Sequence, residues 1–175
     1  MSESAEEDGA EAGAGFGEIG RGFGIAYAYI NKRERTVAEV RARLERAELG
    51  EPEIDDVIAE LLQFGYLDDA RYARVFTQDK RTLEVWGSER IARALRERGV
   101  ERALIEAALA EDLGTDGHAA GDEFQRAVTL LGQRFPAGPA APRDRERAFG
   151  VLARKGYESE MAADAVREWA RRATA

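Results

Sequence analysis

The side chains able to do covalent or metal chemistry are few in this sequence. There is no cysteine, which removes disulfides, thiolate zinc sites, iron–sulfur clusters and cysteine nucleophiles from consideration. The one histidine, His118, sits in a Gly-, Ala- and Asp-rich link. A lone imidazole supports neither a Ser/His/Asp triad nor a multi-histidine metal site. Asp68 and Asp69 are adjacent carboxylates, a pair suited to acid–base work only with a companion base or metal cluster, and none accompanies them. The glycines near the start follow no strand and precede no Gly-Lys-Ser/Thr, so they form neither a phosphate-binding loop nor a dinucleotide fingerprint. These residues predict a protein that is not an enzyme and that uses no cofactor and no metal.

What remains is the chemistry of guanidinium and ammonium groups. Residues 80–98 hold Lys80, Arg81, Arg90, Arg93, Arg96 and Arg98 against Glu84, Glu89 and Glu97, a local charge of +3 in a chain of net charge −8. Residues 1–22 carry six acidic groups against Arg21, so much of the negative charge belongs to the start of the chain. Overall acidity argues against indiscriminate nucleic-acid binding and still allows one basic face. On a helix opening after Ser88, Ile91 and Leu95 mark the buried side, and Arg90, Arg93 and Arg98 are expected on the outward face. Lys80, Arg81, Arg90, Arg93 and Arg98 are therefore the candidate partner-binding residues, able to grip carboxylate or phosphate. The alternative is a solvated helix laced with Glu–Arg pairs, each worth only a few tenths of a kcal/mol. Trp86 is expected to pack at a helix junction, with base stacking as the alternative. Trp169, at helical spacing from Val166, is expected in the core.

The elements that must position these groups are helices. Residues 1–22 are mostly Gly, Ala, Ser and Glu, too poor in large apolar groups to offset the entropy of ordering, and are expected to be a disordered acidic tail. Beyond them the apolar period is helical. Val37, Val40 and Leu44 follow Thr36, which forms a capping-box pattern with Glu39. Pro52 suits the first turn of a helix carrying Ile54, Val57, Ile58, Leu61 and Leu62. Later stripes run through Tyr72–Phe76, Ile91–Leu95, Leu104–Leu109, Phe124–Leu131, Phe149–Leu152 and Met161–Trp169, with a breaker-rich loop at 136–142. No stretch alternates with period two, so the fold class is all-α. No apolar run approaches the ~18–20 residues of a membrane helix, and the acidic start MSESAEEDGA is unlike the basic opening of a signal peptide. A soluble, cytoplasmic protein with no membrane contact is expected.

The helices repeat. Val40, Leu44 and Glu48 align with Ile91, Leu95 and Gly99, and again with Ala148, Leu152 and Gly156. The period is roughly 50 residues, three helices to a unit. This predicts helical repeats at 23–67, 68–113 and 114–175, stacked into an elongated, curved arrangement because each unit alone buries too little surface.

The segment Gly65-Tyr66-Leu67-Asp68-Asp69-Ala70-Arg71-Tyr72-Ala73 resembles the central signature of the RecX family, regulators of the RecA recombinase. Gly87, Arg90, Ile91, Leu95, Gly99 and Val100 fit that family's next stretch. Arg33, Thr36, Glu39 and Leu44 resemble its first repeat, and Leu152, Arg154, Lys155, Gly156 and Tyr157 its third. The likeness covers about residues 25–172. The acidic extension and the 136–142 insertion have no counterpart in the pattern. The resemblance implies tandem three-helix repeats and a monomeric regulator in recombination, DNA repair and the SOS response. Its implied partner is RecA, as the nucleoprotein filament, with a weak contact to single-stranded DNA and inhibition of ATP hydrolysis and strand exchange. A helix-turn-helix-like DNA-binding regulator and a helical scaffold for another protein are the competing functions. Within the signature, Gly65, Tyr66, Leu67, Asp68, Asp69, Arg71 and Tyr72 are expected to be structural. Tyr66 and Leu67 would pack between repeats, Asp68 and Asp69 would cap the next helix, and Arg71 would pair with one of them.

Overall fold

The structure is a computed structural model that describes residues 20–111 and 119–173, with the backbone alone for 119–122. Every regular element among the described residues is helical: α1 (20–30), α2 (Val37–Glu45), α3 (Glu51–Gln63), α4 (Asp69–Leu83), α5 (Ser88–Arg96), α6 (Arg102–Glu111), α7 (Ala119–Arg134), α8 (Pro142–Lys155) and α9 (Ser159–Ala173). Residues 1–19 of the expected tail, His118 and Gly114 lie outside the described residues. Residues 20–22 correct the expectation, because α1 already includes them. Arg21 donates to the Ala47 carbonyl at 2.7 Å, a tie that composition alone does not disclose. A second correction concerns the 136–142 loop. Its last residue, Pro142, opens α8, where a missing amide hydrogen is harmless and a fixed φ is favourable.

The described residues form two compact units. One runs up to Tyr72 and includes Arg98–Val100; the other comprises Ala73–Glu97 and the chain from Glu101 onward. In the first, α2 packs on α3 around Val40, Leu44, Ile54, Val57 and Leu61, all nearly or fully buried. In the second, α5 packs on α6, and both α7 and α8 pack on α9. Its core joins Val128, Leu131, Leu152, Tyr157, Val166 and Trp169. These are the 3–4 stripes of the sequence, turned inward.

Each unit contains the same joint. The first amide of α2, on Val37, donates to the Asp69 carboxylate at 2.9 Å, and the Thr36 hydroxyl donates to the Arg98 carbonyl at 2.7 Å. At the matching position in the other unit, the first amide of α5, on Ser88, donates to the Glu123 carboxylate at 2.7 Å. The Gly87 amide donates to the Lys155 carbonyl at 2.9 Å. In both cases an acid from a later helix satisfies the helix start, and the carbonyl end of a helix lies against it, which pairs opposite ends of two helix dipoles. The start of α8 is closed differently: its own Asp144 accepts from the Ala140 and Ala141 amides at 3.0 and 2.9 Å.

The aligned stop positions share a backbone conformation. Glu48, Gly99 and Gly156 have φ of 61°, 76° and 80°. A Cβ on Gly99 would lie 2.3 Å from the Ala38 Cβ, and one on Gly156 2.3 Å from the Arg90 Cβ and 2.6 Å from its amide nitrogen. Glycine is required there both by left-handed φ and by the close approach of the neighbouring helix. Glu48 is exposed, so its side chain meets no such obstacle.

Candidate partner-binding site

The basic residues of 80–98 divide into groups with different surroundings. Helix α4 ends at Leu83, and the chain turns through Val85 at φ 52°, with the Trp86 amide returning to the Lys80 carbonyl at 3.0 Å. That turn, a left-handed helix cap built on valine instead of glycine, sets Trp86 on a half-buried ledge. The Arg90 guanidinium lies over the Trp86 ring at 4.0 Å and the Lys80 ammonium at 4.9 Å, while the Phe76 ring meets it edge-on at 6.4 Å. Lys80 also pairs with Glu84, and this contact holds the Glu84 carboxyl below its ordinary range. Lys155 donates to the Glu84 carbonyl, and Arg90 to the Arg154 carbonyl at 3.0 Å. The result is an aromatic ledge flanked by three cations and one carboxylate. Cations over a ring face are held by its quadrupole at ~0.5–2 kcal/mol each.

Three of the candidate residues have surroundings that the sequence does not disclose. Arg81 is 7% exposed. It donates to the Ser88 hydroxyl and to the Leu109 carbonyl, both at 3.2 Å, and so helps balance the buried Glu123 carboxylate, which also accepts from the Ser88 hydroxyl at 2.5 Å. It braces α4, α5 and α6. Arg98 lies past the end of α5 with its side chain hydrogen-bonded to the Tyr72 hydroxyl, away from the outward face expected for it. Arg90 is half-buried under the contacts just described. Of the expected outward set on α5, Arg93 is the exposed one, joined by Arg96.

The signature residues are also redistributed. Leu67 is buried in the first unit's core, whereas Tyr66 is 51% exposed and meets the Tyr27 ring edge-on at 5.1 Å. Asp68 caps α4 by accepting from the Arg71 amide at 2.8 Å. Asp69 instead closes the start of α2, and the Arg71 side chain pairs with Glu34 at 3.6 Å, not with either aspartate. Gly65 supplies the left-handed turn after α3, at φ 71°. Burial pushes the Tyr72 hydroxyl upward in pKa, with the Arg98 charge opposing it. Burial likewise raises Tyr157 to about 12 despite Arg126 beside it.

Sequence reasoning missed Glu123 and Arg35. Glu123 is one acid beside another, Asp122, just before the apolar stripe that begins at Phe124, and only the register that aligns Val37 with Ser88 points to an acid near it. Arg35 gives no local sign at all, being one charged residue in the polar run Lys32-Arg33-Glu34-Arg35. Among the described residues no cluster of three or more His, Asp or Glu side chains could hold a metal ion, and no helix is long and apolar enough to cross a membrane.

Comparison with known proteins places this arrangement. Residues 23–61 match the family described as RecX, first three-helix domain, and residues 68–109 match RecX, second three-helix domain. The regulatory protein RecX of Trichlorobacter lovleyi is 32% identical over 139 residues, covering 78% of this chain and 87% of that protein. That of Deinococcus radiodurans is 31% identical over 146 residues, covering 82% and 67%. Against the 34% identical regulatory protein RecX of Lactobacillus delbrueckii subsp. bulgaricus, 79% of this chain is covered, but the chain spans about half of that relative, 49%. The crystal structure of RecX from Lactobacillus salivarius superposes with a TM-score of 0.73 at 22% identity, over 87% of this chain and 96% of that one, which shows the fold. With both three-helix domains matched in order and about a third of residues shared over most of this chain, the chain belongs to the RecX family.

Proposed function

We propose that this protein is a non-enzymatic regulator that binds the RecA recombinase in its nucleoprotein filament and restrains ATP hydrolysis and strand exchange. The observation that carries the reading is the family match over most of the chain, to a family the signature resembles as regulators of RecA. The ledge around Trp86 supports it: Lys80, Arg90 and Lys155 gather positive charge around an aromatic ring in a chain whose net charge is −8. Such a ledge fits an acidic protein surface, or phosphates already held by the recombinase, better than free duplex DNA, which the chain's overall charge repels.

Titrating the protein into RecA and single-stranded DNA while following ATP hydrolysis tests this. Hydrolysis should fall at less than one molecule per recombinase protomer. Unchanged hydrolysis and strand exchange at equimolar protein would overturn the reading. Tight, strongly salt-dependent binding to duplex DNA with no recombinase present would favour the helix-turn-helix-like alternative instead.

A further inference from the structure

A groove of about 340 Å³ runs beside α1 in the first unit. Its lining joins the half-buried Ile25 and Tyr29 to three exposed cations, Arg21, Lys32 and Arg43, and includes no carboxylate among the described residues. The first unit is otherwise acidic, with eight basic against eleven acidic side chains over residues 20–72. Three cations on one groove are therefore a local excess.

The acids of the surrounding helices are engaged elsewhere. Glu39 pairs with Arg33 and Arg35, Glu34 with Arg71, and both Glu51 and Asp55 with Arg41. Arg41 and Arg43 stand two residues apart on α2, and the counter-charges belong to the first of them. Arg21 donates to the Ala47 carbonyl at 2.7 Å, a neutral acceptor that leaves its charge unanswered. Among the described residues, no carboxylate lies within ion-pair distance of Arg21, Lys32 or Arg43. The Arg35 guanidinium over the Tyr29 ring at 3.8 Å adds a further charge beside the groove, and Glu39 offsets that one.

We propose that this groove is the docking surface for the chain's own acidic start, residues 1–18, whose carboxylates supply the counter-charges that Arg21, Lys32 and Arg43 lack. The charges are complementary. Residues 1–18 carry Glu3, Glu6, Glu7, Asp8, Glu11 and Glu18 and no basic side chain, and carboxylates suit both guanidinium and ammonium groups. The length is sufficient. Helix α1 rises ~15 Å from end to end, while eighteen extended residues reach ~60 Å, so the acids at 3–11 can return along α1 to Lys32 and Arg43. The tether decides the occupant. The segment leads into the same helix that lines the groove, so it meets the groove at an effective concentration of order mM. Contacts too weak to hold a free peptide then suffice, and an external polyanion must first displace the chain's own acids. This self-docking does not depend on RecA being the partner.

The sequence contains no cysteine, so Ala10→Cys gives the full chain a single thiol for a nitroxide label. Paramagnetic broadening of the Tyr29, Lys32 and Arg43 amides is then compared in the labelled chain and in two variants of equal charge. K32Q/R43Q removes two cations of the groove, and R33Q/R71Q removes two outside its lining. All four side chains are exposed, so both variants keep the fold. Near 0.01 M salt, broadening should be at least threefold stronger in the labelled chain and in R33Q/R71Q than in K32Q/R43Q. The difference should shrink near 1 M, as the Debye length falls from ~30 to ~3 Å. Equal broadening in all three proteins, or equal loss in both variants, would show a general field with no docking and overturns the proposal. Absence of broadening overturns it too, and shifts of the same amides on adding oligothymidylate or a glutamate-rich peptide would then assign the groove to an external occupant.

Discussion

Arg90 and Arg93 are one turn apart on α5, and their surroundings fix what each contributes. Arg90 lies on Trp86 and donates to the Arg154 carbonyl; Arg93 reaches solvent. Removing Arg90 forfeits a cation–π contact and a charge-assisted hydrogen bond, together about 1–3 kcal/mol at a half-buried site. Arg90→Ala should therefore lower the denaturant midpoint clearly, while Arg93→Glu should leave stability within about 0.5 kcal/mol. If α5 faces the filament, Arg93→Glu should weaken inhibition of RecA without that loss. A reduction of the log–log salt slope by about 0.7 would mark a lost contact with single-stranded phosphate, whereas an unchanged slope would mark a recombinase carboxylate. An Arg93→Glu protein that inhibits like wild type would show this face to be merely solvated. The sequence disclosed which residues were basic and which side of α5 was apolar, since both follow from spacing on a single helix. It did not disclose that Arg81 is buried or that Arg98 is tied to Tyr72, because those depend on residues tens of positions away: Leu109 for one, the α4 turn for the other.

The elements themselves were readable wherever the governing interaction is local. The capping box of Thr36 and Glu39, Pro52 in the first turn of α3, and the left-handed φ of the stop glycines at 99 and 156 are all set within a few residues of themselves. The joints were not readable, since Asp69 and Glu123 close helices 32 and 35 residues away. The shared left-handed position offers a direct check of their equivalence. Glu48→Gly should stabilise the protein by roughly 0.5–1 kcal/mol, the relief of left-handed strain less the entropy glycine adds to the unfolded chain. Gly156→Ala should cost about 3 kcal/mol or more, because the new Cβ meets the backbone of α5 at Arg90 as well as an unfavourable φ. Thermal and urea denaturation of the two variants would decide it. A neutral Gly156→Ala would mean that the two helix ends can separate without loss.

For the whole molecule, charge is the property that sequence alone specifies fully. Residues 1–18 hold six acidic groups and no basic ones, so removing them takes the formal charge from −8 to −2. A chain starting at residue 19 should bind single-stranded oligonucleotide more tightly than the full chain at low salt, and the difference should shrink as the Debye length falls from ~10 Å at 0.1 M to ~3 Å at 1 M. Electrophoretic or anisotropy titrations at the two ionic strengths would show it; identical affinities at low salt would mean that the segment exerts no field at the binding surface. The all-α class was equally plain, from the absence of period-two stretches. The division into two compact units was not, because Arg98–Val100 joins the first unit from beyond α5, a grouping that no local pattern records.

The exposed Glu48 has a consequence for how many such modules one chain can hold. At Gly99 and Gly156 the bare backbone leaves room for the start of an earlier helix, α2 and α5 respectively, to seat; at Glu48 the same backbone bend carries a side chain. The opposite terminus is closed by Asp144, which binds amides that a further module would otherwise have to satisfy. A helix start brought to the bend at Glu48 would meet a methylene group, and a helix end brought to the start of α8 would meet a carboxylate. Duplication of a module during evolution, or its addition by design, would need a glycine at 48 or the loss of the acid at 144 before the new copy could join in register.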